Sequence, residues 1–405
     1  MNNYIFLTNQ YLPKPGATGL CVHQLAKQLA SKGENVYTVC YEDGDKEEQY
    51  DGVKIIKINI PLSCKEYKKS SKIIKKLQRV LSLCSKLIHF RQYPLKSFRL
   101  IHRYKKAISN ILEEKGKVTI IASYTPLEAV VAAASIKRKH PNTVKVLYYS
   151  TDTLSNEQGN GGFLSAEYRM NLGVKWEKRL FEIYDKILIM ECHKEHYLNL
   201  LPEFKNKYQI VSFPLFKKIE STHNIKKDDR VSLVYAGTLY QKLRNPQFLI
   251  NMLMELKNII NYKAYFLGGG DCDLILKNAE KDSSNVISYL GMQSHKKAIE
   301  YINNADILLS IGNEESPMAP SKIYEYMSTG KPIIHVYTYK KDPCLIPLQK
   351  YGNALLINAN SDVDILKVKK FINERKCLDY DGVKNKFIRS TPEYTIGIIE
   401  KIWEE

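Results

Sequence analysis

YIFLTNQYLPKPGATGLCVHQLAKQLASKGENVYTV, residues 4–39, is the stretch that decides the fold. Residues 4–8 open it as a short apolar run that reads as a buried strand, the glycine-containing loop 13–19 follows, and residues 20–31 repeat their apolar positions at helical spacing. Gly33 stops the helix and residues 35–39 read as the next strand. A strand, loop, helix and strand connected at this length form a right-handed parallel crossover.

The same grammar continues outward. Apolar runs at 118–122, 144–149 and 187–190 alternate with helical patterns at 127–139 and 168–182, so residues 1–212 are expected to form one doubly wound α/β domain. Residues 213–230 lose that periodicity and read as a linker. Strand-like runs at 231–235, 262–267, 286–289, 307–310, 333–336 and 354–357, with a helix at 247–259, then build a second doubly wound domain over 231–391. The tail 392–405 carries Tyr394, Ile396, Ile398, Ile399, Ile402 and Trp403 as an apolar set, which predicts a docked helix.

A chain of 405 residues, 44% apolar and 26% charged, can bury a core in each of two such domains. Its formal charge of +18 favours anionic partners without choosing among nucleotide phosphates, nucleic acid and an acidic membrane surface. Residues 65–106 hold fourteen Lys or Arg against the single acid Glu66, and within them Ile73, Leu77, Val80, Leu81, Cys84, Leu87 and Ile88 share one helical face opposite Lys72, Lys75, Lys76, Arg79 and Lys86. That is a basic amphipathic helix, read either as an element packed on the sheet or as a docking face for an anionic membrane. The eight cysteines show no C-x-x-C pair or ligand-like spacing, which argues against a disulfide framework or a structural zinc site and favours a reducing compartment. No stretch approaches the roughly 18 apolar residues of a membrane span.

In open α/β sheets ligands bind beyond the carboxyl ends of the strands, so glycines and cations there are the candidate site residues. In the second domain these are Gly237, Thr238, Lys242 and Arg244, then residues 268–270, then Gly291 and Met292, and last Ser321, Lys322 and Glu325 in the run 320–332. Backbone N–H groups at the start of the helix after Pro320 suit a diphosphate, and Glu325 suits ribose hydroxyls, although a capped core helix with Glu325 in solvent reads better from this segment alone. In the first domain His23 reads as an acceptor or phosphate contact, or as a satisfied histidine between helix and sheet. His193 and His196, beside Glu191 and Glu195, imitate a metal cluster but read better as an exposed helix start.

The ordered set of these segments resembles the retaining glycosyltransferases of family four. Tyr11, Leu12 and Pro13 with Gly16 and Gly19, and residues 25–36, are similar to the family's opening; residues 235–239, 266–270, 289–291, 305–307 and 322–332 are similar to its successive donor-domain motifs. The resemblance implies a GT-B fold, two Rossmann-like domains facing a central cleft, with the donor held mainly by the C-terminal domain, the acceptor by the N-terminal one, and no metal or other cofactor in the reaction. It also implies that residues 392–405 return to the N-terminal domain. Where the family places an Arg after the first C-terminal strand this chain has Thr238; Arg244 falls at the family's Lys, with Lys242 beside it and Lys322 available to compensate. Glu325 matches the second of the family's paired glutamates, whereas the first falls on Pro317, with Glu315 as the nearest substitute. Where the family often carries a histidine, residues 148–153 offer Asp152, as a catalytic residue or a turn cap.

The expectation is therefore a hexosyltransferase in surface polysaccharide assembly, with a nucleoside diphosphate sugar, UDP foremost, as donor and a glycan, lipid-linked, as acceptor. Arg244, Lys322, Glu325 and Asp152 are its expected catalytic residues, and its place is the cytoplasmic face of the cell membrane, held through residues 65–106. A sugar-nucleotide epimerase of the same architecture is the alternative enzyme. A nucleic-acid-binding protein is the alternative outside enzymes, disfavoured because no helix-turn-helix, RRM or KH signature accompanies the basic segment.

Overall fold

The computed structural model describes residues 1–13, 15–42, 44–61, 94–156, 164–218, 229–314 and 322–404. It divides into two compact units, Met1–Pro214 with Pro392–Glu405, and Leu215–Thr391. Leu215 and Phe216 are already buried in the second unit, where the Phe216 ring stacks on Tyr380 and Phe387 with centroids 5.9 Å apart in each case. The segment expected to be a linker is thus packed at its start.

The first unit contains β1 (Asn3–Leu7), β2 (Asn35–Glu42), β3 (Lys46–Tyr50), β4 (Val53–Asn59), β5 (Val118–Ser123), β6 (Val144–Ser150), β7 (Lys186–Met190) and β8 (Tyr208–Val211). Their order in the sheet is β3-β4-β2-β1-β5-β6-β7-β8, parallel throughout except where β3 pairs antiparallel with β4. Central strands of a parallel sheet are covered on both faces, which is why Tyr4, Ile5, Phe6 and Leu7 are all buried although they are consecutive. The edge behaves differently. Every residue of β3 is exposed, and charge on an edge strand blocks further pairing; Lys57 of β4 meets Glu42 and Glu48 at 2.8 and 2.9 Å.

Two helices of this unit bear on sequence expectations. The helix Phe98–Lys115, capped by the Ser97 side chain accepting from the Leu100 amide, buries Leu100, Ile101, Tyr104, Ile108 and Ile111, and the Tyr104 hydroxyl donates to the Thr8 carbonyl at 2.6 Å. The C-terminal end of the basic segment is therefore core-packed; residues 62–93, with the rest of the basic helix, lie outside the described residues. The helix Pro392–Glu400 packs in this unit beside Ala17–Ser31, with Lys32 and Glu400 paired at 2.7 Å. Beyond it the Trp403 indole donates to Thr119 Oγ1 at 2.7 Å, with the Lys117 ammonium 3.8 Å from the ring centroid.

The second unit is a six-stranded parallel sheet of β9 (Val231–Ala236), β10 (Tyr262–Leu267), β11 (Ile287–Gly291), β12 (Ile307–Ile311), β13 (Ile333–Tyr337) and β14 (Ala354–Asn358), in the order β11-β10-β9-β12-β13-β14. Both sheets are doubly wound. In each the strand order reverses beside the first strand, between β1 and β5 and between β9 and β12. Among the described residues no helix is long and apolar enough to cross a membrane.

One buried acid of the first unit generates a pH dependence. Glu177, on the helix Ala166–Phe181, is fully buried and accepts from the Leu154 amide at 2.8 Å and the Tyr197 hydroxyl at 3.0 Å. Burial pushes its carboxyl up to about 7, against those hydrogen bonds and two from Ser155, one by its side chain and one by its amide. A carboxyl raised in the folded state stabilises it below the unfolded value, and that contribution is lost as pH climbs through the folded value. Glu177→Gln keeps the acceptor and removes the ionisation. The variant is expected to match the parent near pH 4.5 and to exceed it near pH 8 by on the order of 1–3 kcal/mol in chemical denaturation; equal stability of the two at both pH values would show that Glu177 is not the group being titrated.

Candidate functional site

Beyond the carboxyl ends of β9, β10 and β11 the loops are joined by backbone. The Gly237 amide donates to the Leu267 carbonyl at 2.8 Å, Leu239 to Gly269 at 2.9 Å, and Gly268 to Gly291 at 2.9 Å, so strand pairing carries on into the loops. Such closeness excludes side chains. Gly268 and Gly270 have φ of +157° and +135°, and a Cβ on them would lie 1.8 Å from the Gly237 oxygen and 1.7 Å from the Leu239 oxygen. Next to this floor Gly291 ends β11, and Met292 stands 72% exposed.

Arg244 closes a tight turn, its amide donating to the Tyr240 carbonyl at 2.7 Å. Its guanidinium is then aimed by three bonds: Nε and Nη2 donate to Asn313 Oδ1 at 2.9 and 2.8 Å, and Nη1 to the Thr238 carbonyl at 3.1 Å. Asn313 follows β12, so this link spans the reversal point of the sheet. The Tyr235 phenol lies beneath; burial pushes it up and Arg244 partly offsets the shift. Lys242 is exposed on the same turn.

The helix Lys322–Ser328 supplies the opposite wall. Tyr326 is fully buried and its hydroxyl accepts from the Ala236 amide at 2.8 Å, which fixes the helix to the end of β9. One residue earlier, Glu325 is buried rather than in solvent, with Lys322 Nζ 3.3 Å from Oε2 and His295 Nε2 4.0 Å from Oε1. Burial, together with Lys322 and Lys217, holds the His295 imidazole below its ordinary range, opposed by Glu325. Arg244, Lys322, Glu325, Gly237, Thr238, Lys242, Gly291 and Met292 thus all lie on the carboxyl-end side of one sheet. Glu315 and Ser321 lie outside the described residues. Asn313, His295 and Tyr326 were not anticipated; only Tyr326 left a trace in sequence, as a neighbour of Glu325 in the run 320–332.

The first-unit candidates divide. Gly16 stands at the N-terminus of Ala17–Ser31, and Gly19 packs so closely on the Gln10 carbonyl that a Cβ would lie 2.0 Å from its oxygen. His23 is buried with Nδ1 2.9 Å from the Tyr11 hydroxyl and Nε2 3.2 Å from Asp51 Oδ2. Both nitrogens are occupied by the protein, so the reading of His23 as an acceptor or phosphate contact gives way to that of a tether between helix and turn. Asp152 follows β6, its carbonyl accepting from Ser150 Oγ at 2.9 Å. Nearby, Ser150 Oγ and the Tyr197 hydroxyl are 2.7 Å apart, and Ser155 Oγ meets His196 Nε2 at 2.6 Å. His193 is buried, not exposed as its sequence context suggests, and burial presses its imidazole down to about 4.

No protein-family model matches the chain, and no curated protein matches its sequence. Solved structures do match it over its whole length. Sucrose-phosphate synthase from Thermosynechococcus elongatus aligns with a TM-score of 0.64 at 12% identity, covering 100% of this chain and 98% of that one. The catalytic domain of starch synthase IV from Arabidopsis thaliana, bound to ADP and acarbose, gives 0.59 at 12%, with 100% and 99% covered. Anabaena HepE in complex with UDP-glucose gives 0.54 at 14%, with 99% and 98% covered.

The backbone contacts under the loops make a direct forecast. Gly270→Ala is expected to cost more than about 3 kcal/mol, because a backbone carbonyl must move, whereas Gly382→Ala, whose Cβ would sit 3.6 Å from Asp379 Oδ2, stays within about 1 kcal/mol. Thermal unfolding of both variants measures the contrast, and similar midpoints would dismiss the close approach. With its two doubly wound sheets and these structural neighbours, the chain has the fold of the GT-B glycosyltransferases.

Proposed function

We propose that this chain is a retaining hexosyltransferase that takes its sugar from a nucleoside diphosphate donor, with UDP as the nucleotide. The observation that carries the reading is the fixed Arg244 guanidinium at the reversal point of the second sheet, on the side where Lys322 and Glu325 also stand. When a glycosyl group leaves, negative charge grows on the departing diphosphate. A preorganised cation stabilises that charge without reorganising at the moment of reaction. Arg244 meets it as a planar donor held by Asn313, and Lys322, whose ammonium rests against Glu325, adds a second positive charge. Glu325, once Lys322 turns to phosphate, is left to accept hydrogen bonds from donor hydroxyls. Structures of HepE with UDP-glucose and of starch synthase IV with ADP support a nucleotide donor. Retention and a lipid-linked glycan acceptor rest on the resemblance to family four.

UDP is expected to bind in titration calorimetry, and absence of heat with UDP or GDP near millimolar concentration, where binding is worth only about −4.1 kcal/mol, would remove the donor assignment. Arg244→Ala and Lys322→Ala are each expected to lower turnover about 10²- to 10³-fold with little change in unfolding temperature. Unchanged kcat/KM in either variant would take that residue out of the mechanism.

The basic segment is proposed to bring the enzyme to an anionic membrane, each engaged Lys or Arg contributing about 1 kcal/mol. Flotation with anionic vesicles should succeed in low salt and fail near 1 M, where the screening length falls to about 3 Å. Equal flotation with neutral vesicles, or none with either, would leave the segment as a packed element alone.

A further inference from the structure

Deep in the second unit, three groups that share no sequence motif converge. His335 lies in the middle of β13, and Asp342 and Cys344 in the connection from β13 to the helix Leu345–Tyr351; one ligand atom from each lies within 4.8 Å of the others, and all three residues are buried. His335 Nε2 and Asp342 Oδ2 face each other at 3.4 Å with both side chains wholly shielded from water, yet neither atom makes a hydrogen bond. Buried polar atoms almost always find a partner, because leaving one bare forfeits its hydration without return.

The outer atoms of the same side chains are, by contrast, tied down. His335 Nδ1 is 3.0 Å from Ser310 Oγ, and Asp342 Oδ1 accepts from the Cys344 amide at 2.7 Å. In the tautomer that gives the Nδ1 proton to Ser310, Nε2 turns a lone pair toward the Asp342 carboxylate. Two lone pairs aimed at one point repel unless a proton or a metal ion lies between them. The neighbouring backbone is shaped to permit this, since Gly312 leaves room where a Cβ would fall 1.8 Å from Asp342 Oδ2.

We propose that His335 Nε2, Asp342 Oδ2 and Cys344 Sγ bind a zinc ion that braces the second unit. Nitrogen, oxygen and sulfur together form the mixed set that zinc accepts, and the outer bonds to Ser310 and to the Cys344 amide orient two of the ligands in the way zinc ligands are commonly held. On binding, the Cys344 thiol gives its proton to solvent; thiolate and carboxylate then balance the two charges of the metal, and no redox change occurs. The site departs from the sequence expectation of no structural zinc because that expectation considered cysteine spacing, and two of these ligands are not cysteines. It is separate from the proposed donor contacts, although Gly312, which abuts Asp342, directly precedes Asn313, which holds Arg244.

Purified full-length protein, dialysed against buffer free of added metal, is expected to retain about one zinc per chain by elemental analysis and to lose thermal stability when a strong chelator is added. Cobalt(II) added to the reduced, chelator-treated protein is expected to give a thiolate-to-cobalt charge-transfer band in the near ultraviolet, absent in Cys344→Ser and weakened in Asp342→Asn. A wild-type protein that unfolds at the same temperature with and without chelator, holds no zinc and gives no such band overturns the proposal. A band that survives in folded Cys344→Ser overturns it as well, since another cysteine would then be the ligand. Should Cys344→Ser fail to fold, zinc content and chelator response of the wild type, with the weakened band of Asp342→Asn, still decide the matter.

Discussion

Strand β9 parts from β12 before either strand ends. It pairs with β12 only from Leu233 to Tyr235, so on that side the Ala236 amide, buried at the reversal point, has no strand to bond. The Tyr326 hydroxyl accepts from it at 2.8 Å and lies 3.3 Å from the Ala236 carbonyl. A buried amide without a partner costs on the order of 1–3 kcal/mol, so the position of the helix Lys322–Ser328 is dictated by the sheet's own unmet demand. Lys322 and Glu325 inherit their places from that bond. The divergence of the strands is what calls for the tyrosine, and the tyrosine in turn fixes the helix that carries the charged residues.

Arg244 is governed by a similar economy. A free arginine side chain has many rotamers, and ordering it costs up to about 2 kcal/mol. Here the turn at Tyr240, the Thr238 carbonyl and Asn313 Oδ1 absorb that cost within the fold. Three of its donors are committed to neutral acceptors, so its charge stays uncompensated by any carboxylate among these bonds. Lys322 differs, resting 3.3 Å from Glu325, a pair that a phosphate would have to divide. The two cations therefore suit different tasks, Arg244 as a fixed planar donor and Lys322 as a movable point charge.

Much of this architecture is legible from residues alone because parallel strands buried on both faces leave short apolar runs, and because their carboxyl ends collect glycines. What escaped reading has equally plain causes. β3, with the sequence KEEQY, carries no apolar alternation and is strand only because β4 offers an edge. Glu325 reads from its own segment as solvent-facing, since its neighbours in sequence do not reveal that His295 comes from another helix to meet it. Asn313 has no motif of its own; its role arises from standing just past β12 where Arg244 arrives. His23, on the first helix after the glycine loop, reads as an acceptor or phosphate contact or as a satisfied histidine, and the turn carrying Asp51 meets its far nitrogen, a contact across 28 residues that local pattern does not encode.

Each unit also buries ionisable groups, and the difference between them is instructive. Glu177 in the first unit collects donors from Leu154 and Tyr197, and its raised carboxyl value lets a proton remove the charge altogether. Both donors reach Oε1, while Oε2 has no hydrogen bond, so protonation is what relieves the buried charge. His335 and Asp342 in the second unit are buried as completely, yet their bonds all lie on the outer side of the cluster and the facing atoms have none. At Glu177 one unbonded oxygen stands alone, whereas His335 Nε2 and Asp342 Oδ2 are two unbonded atoms turned toward each other at 3.4 Å. Cys344 Sγ lies within 4.8 Å of both, and the imidazole, carboxylate and thiol together form the donor set on which the proposed zinc site rests.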